Sequence, residues 1–259
     1  MTGAAVPAQL QHWADAFSRG NHYDAGYDRA AAERYRARNR ATAMVLLAIG
    51  VVSVVLCLVL AVFGGGFSRL LIVLGVFGLV AMFVTLPTIV SVGTRLRRID
   101  AGNGLFARVS SDGVGFGLVE RVAWEEVLAV IVFDDTARLQ RTLGIPVLGW
   151  GARMSMRAGN GAMGLSLALR DGSAVQARIG DERERGFVRL WGPKSDPARK
   201  GDISLILDPL LDERAARSFT EAVVVGATMN GVPVLTPRSS AEYVKTLGRL
   251  LDPKWPTGL

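Results

Sequence analysis

Two histidines, one cysteine and a few paired acids are all that this 259-residue chain offers for building a reactive centre. His12 and His22 lie near Asp15 and Asp24, but their spacing and ligand count do not make a transition-metal cage, and they read as surface histidines. Cys57 stands alone, which excludes an internal disulfide and any cysteine-built metal site. Glu125 with Glu126, and Asp134 with Asp135, are neighbours in strand-like sequence. Adjacent strand residues point to opposite faces, so neither pair forms an acid–base couple by itself. Gly113, Gly115 and Gly117 spell G-x-G-x-G, yet a strand follows them where a phosphate cradle needs a helix N-terminus. Asp181–Arg185 reads as a solvated turn or helix end and Lys194–Lys200 as an exposed loop. Trp150 and Trp191, beside Gly149, Gly151 and Gly192, read as core aromatics. No catalytic, metal or cofactor residue is assigned.

The elements that would have to position any site are dominated by apolar sequence. Half of the chain is apolar, only 20% is charged, and the mean hydropathy is +0.30, too apolar for an ordinary soluble domain. The net charge is +7. Residues 1–98 hold ten arginines against four acids, whereas the rest is nearly balanced with twenty basic and nineteen acidic groups. The positive excess therefore belongs to the flanks of the apolar runs. No basic stripe interleaved with aromatics follows, so nucleic acid is excluded as a partner.

Ala41 through Phe63 carries no charge and makes about 34 Å of helix, enough to cross a hydrocarbon core of about 30 Å. Gly64–Arg69 interrupt it, and Leu70 through Val92 is a second uncharged run. The pair predicts a transmembrane helical hairpin. A cleaved signal peptide fits badly, because the first run begins about forty residues into the chain and a second follows. Arg29, Arg34, Arg36, Arg38 and Arg40 precede the first run, and Arg95, Arg97 and Arg98 follow the second, with Arg69 alone between them. Positive flanks stay cytoplasmic, so both termini are expected inside and the turn outside. Ser53, Cys57, Ala61 and Gly65 recur at helical spacing on the first run. Gly75, Gly78, Ala81 and Thr85 form a comparable seam on the second, the pattern that lets helices approach closely in lipid. Pro87 should kink the second helix. Neither run has an ionisable group, so the spans read as an anchor and helix-docking surface rather than a conduction path.

Ahead of the spans, Val6, Leu10, Trp13 and Phe17 fall on one face of an amphipathic helix. Two roles stay open for this arm: packing on the cytoplasmic domain, or lying on the membrane surface or a partner subunit. Asn21–Gly26 breaks the helical pattern, and Asp28–Arg40 reads as a helix running into the first span.

After Arg98 the period changes to that of strands. Leu105–Ser110, Asp112-Gly113 and Val114–Glu120 predict a hairpin. Val122–Val127 leads into the apolar Leu128–Phe133. Leu165, Leu167 and Leu169, an Asp171-Gly172 turn, and Val175, Ala177 and Ile179 predict a second hairpin. Ile203–Leu207 predicts another strand. Asp212–Met229 predicts an amphipathic helix, and Ser239 with Glu242 a capping box opening a last helix through Leu251.

The strand, Asp112-Gly113 turn, second strand and Trp124-containing segment within Phe106–Phe133 resemble the start of bacterial pleckstrin-homology-like domains. The resemblance covers about half of the chain, and Thr136–Gly164 departs from it. It implies an interaction module that follows a membrane hairpin. Lipid-binding members carry basic residues at the first hairpin turn; here Ser110-Ser111-Asp112-Gly113 has an acid and no base, so headgroup capture by that route is not implied.

The expected fold is thus an α+β membrane protein: a transmembrane helical hairpin plus a mainly antiparallel, PH-like β domain closed by a C-terminal amphipathic helix. The expected divisions are a cytoplasmic arm over 1–40, the hairpin over 41–94, the PH-like domain over 105–237, and a last helix and tail over 238–259. The expected function is a non-catalytic accessory or scaffolding subunit, multi-pass in the inner (plasma) membrane. Its partners would be the lipid bilayer and either other membrane subunits or further copies of itself. The alternative, a membrane-anchored enzyme acting on lipid or a lipid-linked substrate, would have to use an acid cluster of Asp134, Asp135 and Asp181.

Overall fold

Tyr23–Gly26, the stretch that interrupts the helical pattern of the N-terminal arm, is a β-strand, and it ties the start of the chain to the domain that follows the apolar runs. The structure, a computed structural model, describes residues 6–26, 29–63, 73, 75, 76, 78, 105–144, 162–208 and 211–254. After a turn of 3-10 helix come α1 (Gln11–Ser18), β1 (Tyr23–Gly26) and α2 (Arg29–Phe63). Three strands in succession form a meander, β2 (Leu105–Ser110), β3 (Gly113–Phe116) and β4 (Val119–Ala123). They join β1 in an antiparallel sheet of order β1-β2-β3-β4. The second sheet contains β5 (Val127–Asp134), β6 (Met163–Leu169), β7 (Arg189–Leu190), β8 (Gly201–Ile206) and β9 (Val234–Leu235), in the order β7-β8-β6-β5-β9. All its pairings are antiparallel except β5 with β9. The remaining helices are α3 (Thr136–Leu143), α4 (Gly172–Ala177), α5 (Glu213–Met229) and α6 (Ser240–Leu251). The molecule is α+β with antiparallel sheets, and among the described residues one helix, α2, is long and apolar enough to cross a membrane.

The core follows from strand alternation. Leu165, Leu167 and Leu169 of β6 and Ile203 and Leu205 of β8 share one buried core with Ala216, Phe219, Ala222 and Val223 of α5. Phe219 meets Phe106 of β2 edge-on at 5.4 Å. Asp212 caps α5, its side chain accepting from the Ala215 amide. The opposite face of the second sheet is covered by α6, where Ala129, Ile131 and Ala168 meet Leu247 and Leu251. Ser239 caps α6 by accepting from the Glu242 amide, while Glu242 accepts from the amide of Arg238.

Within the arm over 1–40, β1 pairs with β2 and α1 packs on α5. The C-terminal helix supplies the second sheet with its other apolar cover. The hairpin expected after Leu169 is absent: Val175–Ile179 is not a strand, and Gly172–Ala177 is α4. Both flanks of β6 are already taken by β5 and β8, so no position is left for a third neighbour. Asp171 caps α4 by accepting from the Ala174 amide. The buried pair Val175 and Ile179 stands at helical i, i+4 spacing.

Gly226 lets α5 lie against the Trp124 ring, for a Cβ there would come 2.5 Å from Trp124 Cζ2. The Gly226→Val variant is expected to lose about 1–3 kcal/mol to overpacking. Gly180→Ala, at a site with nothing within 4 Å, should leave the melting temperature of the detergent-extracted protein unchanged.

Candidate functional site

The most unusual surface of the protein is the outer face of α2. Met44, Val52, Leu58 and Val62 are 62%, 65%, 61% and 73% exposed, and Val45, Val51, Val55, Leu56 and Val59 are exposed beside them. A long helix in a soluble core hides such residues. The other side of α2 is buried and small or polar: Ala32, Asn39, Thr42 and Ser53. Thr42 Oγ1 donates to the Arg38 carbonyl at 2.9 Å, which satisfies a hydroxyl within the helix itself.

Against this inner seam lie Gly75 and Gly78, both helical. A Cβ on Gly78 would come 3.1 Å from Ser53 Cβ and 3.3 Å from the Gly50 carbonyl, and one on Gly75 would come 3.4 Å from Cys57 Sγ. Position rises along α2 as it falls along the facing segment, so the contact is antiparallel. Ser53, Cys57, Gly75 and Gly78 are therefore brought together. Gly65, Ala81, Thr85, Arg95, Arg97 and Arg98, and the side chains of Ala61 and Arg36, lie outside the described residues. Arg34, Arg38 and Arg40 are exposed on the part of α2 that precedes its apolar stretch.

Leu10, Trp13 and Phe17 are placed on the chain's own domain. Phe17 is 2% exposed and joins the main core, with Leu10 and Trp13 packed against it. Trp13 meets Tyr23 edge-on at 4.9 Å, and its Nε1 lies 3.5 Å from Glu221 Oε2 on α5. Of the two roles left open for the arm, packing on the domain is the one these contacts fill.

No protein-family model, curated protein or solved structure matches the chain. Its site has to be read from its own geometry.

Sequence reasoning missed a polar seam beneath α6. Ser166 of β6 and Ser204 of β8 are register partners, their hydroxyls 2.9 Å apart. Tyr243 of α6 brings its hydroxyl to 2.6 Å from Ser166 and 3.2 Å from Ser204. Ser204 donates to Asp202 Oδ2 at 2.6 Å, while the other Asp202 oxygen accepts from Arg189 Nε at 3.0 Å and Trp191 Nε1 at 2.5 Å. Arg189 also stacks on the Trp191 ring at 4.3 Å. The signal was present as the i, i+2 pair Asp202 and Ser204 in an apolar strand, with Ser166 the one polar residue of its own. Ser166 and Asp202 are each 1% exposed, and their hydrogen-bonding capacity is spent inside the seam. This arrangement fastens α6 to the sheet, with Ser166 and Asp202 buried and Ser204 and Tyr243 half-buried.

Glu126 and Asp134, two of the acids singled out in the sequence, have local side-chain partners. Glu126 pairs with Arg178 at 2.9 Å and accepts from the Ala123 amide. Asp134 accepts from the Thr136 amide at the start of α3. Asp181 lies just before the 3-10 turn Glu182–Phe187, its carbonyl accepting from the Glu184 amide. Among the described residues no group of three His, Cys, Asp or Glu side chains converges. His12 stacks on Trp13, and His22 Nε2 lies 3.5 Å from Asp24 Oδ2.

Asp24 is the partly exposed link between β1 and β2. Arg108 donates to its two oxygens at 2.6 and 2.8 Å, and these bonds hold the carboxyl below the usual aspartate range, with the Arg108 and His22 charges adding. Burial pushes the neighbouring Tyr23 hydroxyl up, and the Asp212 charge acts in the same direction. A depressed carboxyl contributes stability that is complete above the unfolded aspartate value of about 3.9 and is lost as pH falls through the folded value. With both side chains well exposed, the contribution is at most about 1 kcal/mol. Melting temperatures of Asp24→Asn and the parent are therefore expected to differ at pH 6 and to converge at acid pH below the folded value.

Proposed function

We propose that this chain is a non-catalytic integral membrane protein, an accessory or scaffolding subunit that anchors a β-rich interaction domain on the cytoplasmic face of the inner membrane. The observation that carries this reading is the exposed apolar face of α2. At about 25 cal/mol per Å² of apolar surface, leaving so many valine and leucine side chains in water is costly, and lipid removes the cost. A cleaved leader is a poor account of α2, since cleavage would also remove α1 and β1, which supply Phe17, Ala14 and Ala25 to the core. The uncharged stretch 70–92 supplies the second span of a multi-pass arrangement, with arginines at the outer end of each run marking the cytoplasmic side.

The soluble part suits a binding module. Its two sheets, the Asp112-Gly113 hairpin and the long α5 support a distant kinship with PH-like domains, and its partner would be another membrane subunit or a second copy of the chain. The test is fractionation of the tagged protein. It should stay in the membrane pellet through alkaline carbonate, enter mild detergent, and elute either with other membrane subunits at fixed ratio or as an integral multiple of 27.7 kDa. Release by carbonate would overturn the membrane reading. A lone monomer in detergent that turned over a lipid substrate would overturn the non-catalytic one.

A further inference from the structure

The two ends of the apolar region leave and re-enter the folded domain at one point. Gly26, the last residue of β1, is the register partner of Leu105, the first residue of β2. Tyr23 faces Val109, Asp24 faces Arg108 and Ala25 faces Ala107. Adjacent strands stand about 4.8 Å apart, so residues 27–104 make a closed excursion from the edge of a sheet. The segments on either side of it share one core. Ala14, Phe17 and Ala25 pack with Phe106, Val109 and Phe219, and among the described residues of the excursion only Ala32 joins them.

We propose that residues 27–104 are a membrane hairpin inserted into the β1–β2 connection of a single discontinuous domain, and that the β1–β2 pair is the clasp holding the two spans together. The proposal rests on the membrane reading of α2. Given one crossing by α2, an odd total would put β1 and β2 on opposite sides of about 30 Å of hydrocarbon, where they could not pair. A return crossing must therefore lie between Phe63 and Leu105, and the uncharged run 70–92 is the stretch long enough to make it. The antiparallel seating of Gly78 on Ser53 and Gly75 on Cys57 is a separate observation with the same sense.

The clasp has mechanical consequences. Packed helices keep their axes about 8–10 Å apart, a distance that short connections from neighbouring strands can bridge. Parting the cytoplasmic ends of the spans must then peel β1 from β2, which breaks the two Arg108–Asp24 hydrogen bonds and draws α1 away from α5. β1 is the short edge strand of its sheet, with only four residues, and is the piece that can yield. The domain also stays incomplete during synthesis until the hairpin has been inserted, because β1 waits for β2.

The test uses the full chain in membranes with Cys57 replaced by Ala. Single cysteines at Gln11, Ser68 and Lys245 are probed with a membrane-impermeant maleimide in sealed vesicles of each orientation. Gln11→Cys and Lys245→Cys should label in the same vesicles and Ser68→Cys in the opposite ones. Labelling of Gln11→Cys and Lys245→Cys from opposite sides would overturn the proposal. A second variant carries Asp24→Cys, Arg108→Cys and a protease site at residue 66. After mild oxidation and cleavage its two fragments should migrate together without reductant and apart with it; fragments that separate without reductant would overturn the clasp. If the protein were instead released by carbonate, with Gln11→Cys and Lys245→Cys labelled in the soluble fraction, the membrane reading would have failed while the fragment cross-link still reported on β1–β2.

Discussion

Replacing residues 27–104 by a two-residue Asn-Gly connection is expected to yield a water-soluble, cooperatively melting domain. Asn-Gly favours the type I′ turn whose twist suits neighbouring antiparallel strands, and Gly26 and Leu105 already face each other. The replaced segment carries nearly all of the exposed large apolar side chains; among the described residues outside it, only Met229 and Val244 are of that kind. The loss to the core is small, since among the described residues of that segment Ala32 alone leaves it. Size-exclusion chromatography without detergent and a single sigmoidal melt followed by circular dichroism are the measurements. Aggregation, or a melt without a transition, would mean that the domain needs its spans to fold. The companion variant beginning at Leu105 is expected to fail, because it lacks Phe17, Ala14 and Ala25. Truncating one buried phenylalanine alone costs about 3–5 kcal/mol.

Asp202→Ala is expected to be the most damaging single change in the polar seam, at about 3 kcal/mol. The carboxylate is 1% exposed and accepts from Arg189, Trp191 and Ser204. Breaking a buried ion pair from one side costs about 3–5 kcal/mol when the remaining charge is trapped. Here the Arg189 side chain is 57% exposed and can turn to water, which places the cost at the lower end. The indole N–H and the Ser204 hydroxyl cannot escape so easily, and each stranded donor costs about 1–3 kcal/mol. At about 2–4 °C per kcal/mol for a domain of this size, the melting temperature should fall by about 6–12 °C. Tyr243→Phe removes only the outermost hydroxyl and leaves Ser166 bonded to Ser204, so about 1 kcal/mol is expected there. Equal, small losses for the two variants would show that α6 is held by Leu247 and Leu251 alone. Earlier cleavage within 236–251 by a protease in Asp202→Ala would report the same undocking locally.

Much of the domain was legible because local chemistry and final structure agree. Asp112-Gly113 turns β2 into β3, Ser239 caps the helix it was expected to cap, the helix expected over Asp212–Met229 is α5, and the apolar run after Trp124 is β5. Asp171-Gly172 shows where such a signal misleads. The same dipeptide that turns a hairpin can open a helix, and the choice fell to the helix because β5 and β8 occupy both sides of β6. β1 was hidden for a different reason. Its four residues, Tyr-Asp-Ala-Gly, are too few to display a period, and it is a strand only because β2, some eighty residues later, offers it an edge.

By itself the sequence determined the long apolar helix and its arginine flank, the sparse stock of reactive side chains, the Asp-Gly hairpin and the two capped C-terminal helices, for each is set by composition or by residues within a few positions of one another. Only the tertiary structure decided that the N-terminal arm belongs to the domain, that the apolar region departs from and returns to neighbouring strands, and that Ser166, Asp202, Ser204 and Tyr243 form one seam. Those are contacts between residues up to 208 positions apart, which no local spacing records and which arise when distant segments compete to bury the same faces.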